Sequence, residues 1–265
     1  PPVDRAFALA PLRAFAARVD RAHRRSRAVE AWQALKSRLR GFLRRPAAPS
    51  EPSLQGESAI LAQLRIYVAP WRGRRLSHDS LVVTLNERGT RAGLFWCLQG
   101  QREFEQLAAH LGADIPIHGM RSGHLVLDYD RADDVAALAQ TYADEIEAVQ
   151  PSGPLHLGGN CQGGIVMHAV AQRLRQRDRE VRLLILMEQR FVRPFPGKVA
   201  LVFGRESHLN PYLEPDANPE AAFREAYPGG FEVEFIHGAH GGFFESPNIE
   251  GLAAVLQKLL PDQAR

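Results

Sequence analysis

The sequence predicts an α/β fold, a mostly parallel sheet covered by helices on both faces. Three observations carry this expectation. Seven short apolar stretches alternate with segments whose apolar residues recur every three or four positions, the period of amphipathic helices. Several of those stretches, above all Leu183 to Met187, are continuously apolar, as strands buried on both faces are. The chain has 265 residues, 45% of them apolar and 24% charged, which suits one or two globular domains and excludes disordered or fibrous classes.

In chain order, residues 5–45 read as helix. Leu9, Leu12, Phe15 and Val19, then Val29, Trp32, Leu35, Leu39 and Phe42, make apolar stripes opposite arginines. Residues 1–45 hold 12 basic and three acidic side chains, net +9, so the remaining 220 carry −6. This predicts a basic amphipathic helical segment over 1–50, serving as lid or docking surface. From charge alone a solvated helix face serves as well, since the chain has only three lysines and is arginine-rich. Pro46 to Ser53 is rich in proline, alanine and serine, so 51–77 reads as a linker and 78–265 as the core.

Strands are expected at Ser80–Leu85, Gly93–Leu98, Ile115–Met120, Leu155–Leu157, Val181–Met187, Val199–Phe203 and Phe231–Ile236. The intervening helices are marked by Phe104, Leu107 and Leu111; by Val135, Leu138, Tyr142, Ile146 and Val149; and by Ile165, Ala169 and Leu174. Ile249, Leu252, Leu256 and Leu259 mark the last. No apolar run approaches the ~20 residues of a membrane span, and Arg13 interrupts the one N-terminal apolar stretch, so neither span nor signal peptide is expected. Two cysteines suit a reducing cytoplasm. The first residue is Pro1, which suggests a domain cut from a longer polypeptide.

The segment that carries chemistry is Leu155-His-Leu-Gly-Gly-Asn-Cys-Gln-Gly-Gly-Ile165. An apolar strand ends, a Gly-x-Cys-x-Gly turn follows, and an amphipathic helix begins: a nucleophile elbow with Cys161 as nucleophile. Gly159 and Gly163 leave space where strand and helix pass closely, and the helix N-terminus favours a thiolate and an oxyanion. His240, between the last strand and the last helix, is the expected base; its neighbour His237 more simply finishes the strand. Glu188, at the end of Val181–Met187, and Glu206, after the next strand, both qualify as the acid that orients the imidazole. Cys97 lies inside a strand and reads as core.

At these residues the chain resembles the α/β-hydrolase thioesterase domains of polyketide synthases and nonribosomal peptide synthetases, over roughly residues 78–260. The resemblance rests on Gly93–Cys97, Phe104–Gly112, the Gly159–Gly164 elbow, Phe191–Phe203 and Gly238-Ala-His240. It implies the α/β-hydrolase fold and a Cys161–His240–Glu188 triad, the acid following the strand after the elbow. It implies a first oxyanion donor at the N–H of Gln162 and a second at Gln99 or Gly100. It further implies an acyl donor carried on the phosphopantetheine of an acyl or peptidyl carrier protein within the same synthase, with no bound cofactor or metal.

Three departures stand out. Cysteine replaces the usual serine, glutamate the usual aspartate, and Leu98-Gln-Gly-Gln101 the usual His-Pro-x-Gly-Gly. The usual lid insertion is also missing, with only Gln189 to Gly197 in its place, so the N-terminal helices are expected to roof the site. Transfer to a hydroxyl or amine acceptor, forming ester, lactone or amide, is then expected over release to water. Two other readings remain: a cysteine hydrolase resembling dienelactone hydrolases or polyhydroxyalkanoate synthases, whose acid would be Glu206, and a non-catalytic docking module. Nucleic-acid binding has only charge in its favour.

Overall fold

A computed structural model describes residues 54–129, 131–189, 192–214 and 218–262. The basic segment at 1–50, with its proposed lid or docking role, lies outside the described residues. The described residues fall within one compact unit that begins at Leu54.

The elements of this unit are α1 (Leu54–Val68), β1 (Val83–Leu85), β2 (Leu94–Leu98), α2 (Gln101–Leu111), β3 (Ile117–Arg121), α3 (Ala132–Val149) and β4 (Leu155–Asn160). Then come α4 (Gln162–Gln176), β5 (Val181–Met187), β6 (Val199–Gly204), α5 (Pro219–Ala226), β7 (Phe231–Ile236) and α6 (Asn248–Leu259). One 3₁₀ turn spans Pro211–Leu213. The seven strands form one sheet in the order β1-β3-β2-β4-β5-β6-β7, parallel throughout except for β1 at the edge. This is the mostly parallel sheet that the strand–helix alternation predicts, and it is the α/β-hydrolase architecture.

Three expectations are corrected. Residues 54–68 are not linker: they form α1, whose Leu64 and Val68 are fully buried in the same core as the sheet. Trp71 follows, stacked on Phe104 of α2 at 5.3 Å between ring centres. The proline-rich flank before α1 obscures a helix anchored chiefly by these three buried side chains. Ser80 to Val82 do not extend β1, because the backbone N–H groups of Leu81 and Val82 donate to the Glu145 carboxylate of α3, each at 2.9 Å, instead of to a strand. The strand expected to end at Leu157 continues through Gly158 and Gly159 to Asn160, paired with β5. Two glycines weaken a strand in isolation. Here a Cβ at Gly158 would come within 2.5 Å of the Trp96 ring, so packing demands the glycine that local propensity disfavours.

The sheet order sets the position of the site. β2 and β4 are neighbours, but the connection from β2 leads one way, to β3, and that from β3 leads back across to β4. Their carboxyl ends therefore open onto the crevice where strand order reverses, the favoured place for ligands in open α/β sheets. Cys161 follows β4 and Gln99 follows β2, both at that crevice.

Candidate active site

The elbow is built as its glycines require. Cys161 sits between β4 and α4 with φ 49° and ψ −125°, a strained conformation for a residue with a side chain. A Cβ at Gly159 would lie 2.5 Å from the Gly163 carbonyl carbon, and one at Gly163 would overlap the Cys97 carbonyl oxygen. The close approach that forces Cys161 out of the strand exists only because both positions lack side chains. Gln189 steadies the turn, its Nε2 donating to the carbonyls of Cys161 (2.6 Å) and Met187 (3.1 Å).

The structure brings Cys161, His240 and Glu188 together. The His240 Nδ1–H donates to Glu188 Oε2 at 2.9 Å, which leaves Nε2 as the acceptor, 3.5 Å from the Cys161 sulfur. Glu188 has a fully buried side chain and a positive φ of 57°, placing it at the turn just past β5. Its Oε1 accepts the N–H of Gly204 at 2.8 Å, and its Oε2 also accepts the hydroxyl of Ser207. Glu206 is not part of this line: it is exposed and accepts the N–H of Gly238 at 2.5 Å, bracing the turn that leads to His240. His237 is exposed, immediately past β7, with no hydrogen bond to Cys161. The ring of His208 lies edge-on to His240, 5.3 Å between centres.

The Cys161 thiol is pushed up to about 12, by burial first and then by the charges of Glu188 and Glu103. Burial and these two charges thus oppose the thiolate that the helix N-terminus favours, and of the two starting forms open to Cys161 they favour the thiol. Cys97 is core as expected, fully buried, its thiol pushed up by the same desolvation.

The other flank differs from the sequence reading. Gln162 opens α4, so its N–H has no carbonyl four residues earlier within the helix to satisfy it and remains available to a ligand. Gln99, however, is not a free second donor. Its N–H is taken by Glu103 Oε2 at 2.8 Å, and the same oxygen accepts Asn160 Nδ2 at 3.3 Å. The Gln99 side chain is equally committed, donating to the Asn160 carbonyl (3.2 Å) and accepting from the Ser122 hydroxyl (3.0 Å). Trp96 Nε1 closes the cluster on Asn160 Oδ1 at 3.2 Å. The Gly100 N–H has no hydrogen-bond partner among the described residues. Sequence reasoning missed Ser207, Asn160 and Glu103. Ser207 was visible beside Glu206, and the four-residue spacing from Gln99 to Glu103 is the one sequence cue to a side chain folding back over the helix start.

Among the described residues there is no group of three His, Cys, Asp or Glu side chains that could hold a metal, and no helix long and apolar enough to cross a membrane.

Comparisons with known proteins converge on one family. Residues 97–191, which include the elbow, Glu188 and Glu103, match the family described as thioesterase domain. The chain is 37% identical over 126 residues to the chondramide synthase of Chondromyces crocatus, covering 46% of this chain and 3% of that protein. It is 33% identical over 144 residues to a dimodular nonribosomal peptide synthase of Bacillus subtilis, covering 54% of this chain and 5% of that protein. The chain thus spans a few per cent of the length of these relatives. Among solved structures, the NocB thioesterase domain from the nocardicin cluster aligns with a TM-score of 0.54 at 21% identity, covering 67% of this chain and 97% of that one. The surfactin-cyclising thioesterase domain SrfTE aligns at 0.51 and 14% identity, covering 67% and 94%. At these identities the structural likeness speaks to the fold.

Proposed function

We propose, from the premise that the chain carries a thioesterase domain of the nonribosomal peptide and polyketide synthase type, that it forms an acyl-Cys161 intermediate and passes the acyl group to a hydroxyl or amine acceptor. The observation that supports this is the line from Cys161 through His240 to Glu188, set on an elbow whose glycines permit it. The acyl donor is a thioester on the phosphopantetheine arm of a carrier protein. Such proteins are typically acidic, and the +9 of residues 1–45 provides complementary charge.

Each residue then has a task. Glu188 holds the imidazole in the tautomer that presents Nε2, and balances its charge once protonated. His240 takes the Cys161 proton as sulfur attacks the thioester carbonyl, and the Gln162 N–H stabilises the oxyanion. Collapse breaks the bond to the carrier sulfur, which leaves with the proton from His240. In the second half-reaction His240 takes the acceptor's proton as the acceptor attacks, and Cys161 leaves as thiol. Sulfur at position 161 makes the first step an exchange of one thioester for another. The intermediate stays at thioester energy, so transfer to a hydroxyl is downhill, where transfer from an acyl-serine oxoester would be nearly thermoneutral.

Intact-protein mass spectrometry with candidate thioesters and acceptors tests the reading. The expected result is one acyl adduct on Cys161 that disappears into condensation product when an acceptor is added. Cys161→Ser should still acylate but lose condensation by more than tenfold, about 1.4 kcal/mol in barrier. An enzyme that yields only free acid with every acceptor would refute acyl transfer. A Cys161 that forms no adduct with any thioester would favour a docking module.

A further inference from the structure

Glu103 takes the Gln99 N–H, one of the two backbone groups expected as second oxyanion donor; the other, at Gly100, has no partner among the described residues. Glu103 stands on the first turn of α2, and one of its oxygens, Oε2, accepts both the Gln99 N–H and the Asn160 amide. Its other oxygen, Oε1, has no hydrogen-bond partner among the described residues. Asn160 immediately precedes the nucleophile, and the Glu103 charge reaches Cys161 strongly enough to raise its thiol. A carboxylate there opposes the oxyanion that the reaction must form. A neutral carboxyl does the reverse: its carbonyl oxygen suits the two N–H donors on Oε2, and the remaining O–H is a donor.

We propose that Glu103 is the second oxyanion donor of this site, its Oε1–H stabilising the tetrahedral intermediate opposite the Gln162 N–H. This rests on the acyl-transfer reading. The Glu103 proton is shared with the oxyanion and stays on Oε1 when the carbonyl re-forms. The proton that moves is that of Cys161, by way of His240, to the departing carrier sulfur. The bond from carbon to the Cys161 sulfur forms as the bond to the carrier sulfur breaks.

Burial, the largest influence on Glu103, favours the neutral acid. Burial pushes the Glu103 carboxyl up; the hydrogen bonds from Gln99 and Asn160 and the charge of Arg121 on β3 pull it part of the way back. Cys97 on β2 and Cys161 at the elbow are the other titrating groups that feel it. His124, past β3, faces Arg121, and Arg102 on the outer side of α2 is paired with Glu245 ahead of α6. Carboxylic acids held neutral by an apolar setting serve elsewhere as oxyanion donors, so the chemistry has precedent. The plainer role, a carboxylate capping α2, needs no proton and predicts no effect on the rate profile.

Single-turnover acylation by a small uncharged thioester, followed by intact mass from about pH 5 to 9, separates the two. The neutral acid is the active form, so wild-type acylation should fall as pH rises through the Glu103 titration. Glu103→Gln keeps a donor and has no proton to lose. It should hold the acid-side rate within about fivefold and lose the alkaline fall. Glu103→Ala removes the charge from beside the thiol just as the glutamine does, but has no donor. It should acylate at least tenfold more slowly than Glu103→Gln, with a single cooperative melting transition confirming the fold. Alanine and glutamine variants of equal rate, or a glutamine variant that keeps the alkaline fall, would overturn the proposal and return Glu103 to a capping role. A wild-type enzyme that forms no adduct at any pH would instead overturn the acyl-transfer reading, and this proposal with it.

Discussion

Two carboxylates flank Cys161, and they are held in opposite ways. Glu188 has a fully buried side chain with donors on both oxygens: Gly204, Ser207 and His240. Glu103 is half-buried with two donors on a single oxygen. The first arrangement suits a group that only accepts and only orients. The second leaves an oxygen unspent, so protonation changes what the group can do. Burial alone therefore does not assign a carboxylate its role; the count of donors on each oxygen does.

The largest effect expected on either flank comes from Cys161 and His240, the proposed nucleophile and base. Cys161→Ala should abolish the acyl adduct, and His240→Ala should slow acylation by roughly 10³-fold or more, measured by rapid quench and intact mass. An adduct that survives Cys161→Ala would move the chemistry elsewhere.

The flank of Glu188 can be probed next. Glu188→Gln should cost on the order of 10²- to 10⁴-fold in turnover, since an amide facing Nδ1 no longer stabilises the protonated imidazole. Glu206→Gln, which touches only the backbone of the turn, should stay within about threefold. Reversal of that order would restore the later-strand acid.

A smaller loss should follow from Ser207→Ala. Removing one buried donor to Glu188 should lower stability by about 1–2 kcal/mol in denaturant titration, with a several-fold decrease in turnover. An unchanged protein would show that Gly204 and His240 suffice to hold the carboxylate.

The gentlest test contrasts the two carboxylates by pH. The Glu103 carboxyl is raised in the folded protein, so the unfolded chain gives up its proton first and stability falls as pH rises above the ordinary carboxylate range. Glu103→Gln removes that penalty and should melt higher than wild type at neutral pH, the difference vanishing in acid. It should also shift the alkylation profile of Cys161 downward, because a negative charge beside the thiol is gone. A melting difference independent of pH would contradict the burial of Glu103.

How much of this was legible depended on whether the determining contacts are local. The elbow was readable because strand, glycines, cysteine and helix lie within eleven consecutive residues. The bounds of β5 and β7 were readable because each is a bounded apolar or alternating run. Ser80 to Val82 misled because the backbone donors of Leu81 and Val82 are captured by Glu145, 64 residues from Leu81 in sequence. The helix α1 misled because proline and serine lead into it, and because the burial of Leu64, Val68 and Trp71, which ties it to the core, is a tertiary fact. The pull of the helix end toward a thiolate at Cys161 is a local argument, which burial and the charges of Glu188 and Glu103 outweigh.

By itself the sequence determined which residues could do the chemistry. A cysteine between paired glycines, a histidine before the last helix and acids at strand ends are chemical types at local positions, and local pattern suffices to find them. Only the tertiary structure decided which of them work together. Glu188 and Glu206 both end strands in the chain order, and it is the parallel register of β5, β6 and β7 that turns the former toward His240 and leaves the latter on the Gly238 backbone. Likewise Gln99 has a backbone N–H in the expected loop, yet whether that donor is free depends on Glu103 folding back from α2 to meet it. Hydrogen-bond partners compete in space, and a one-dimensional pattern carries no record of which competitor wins.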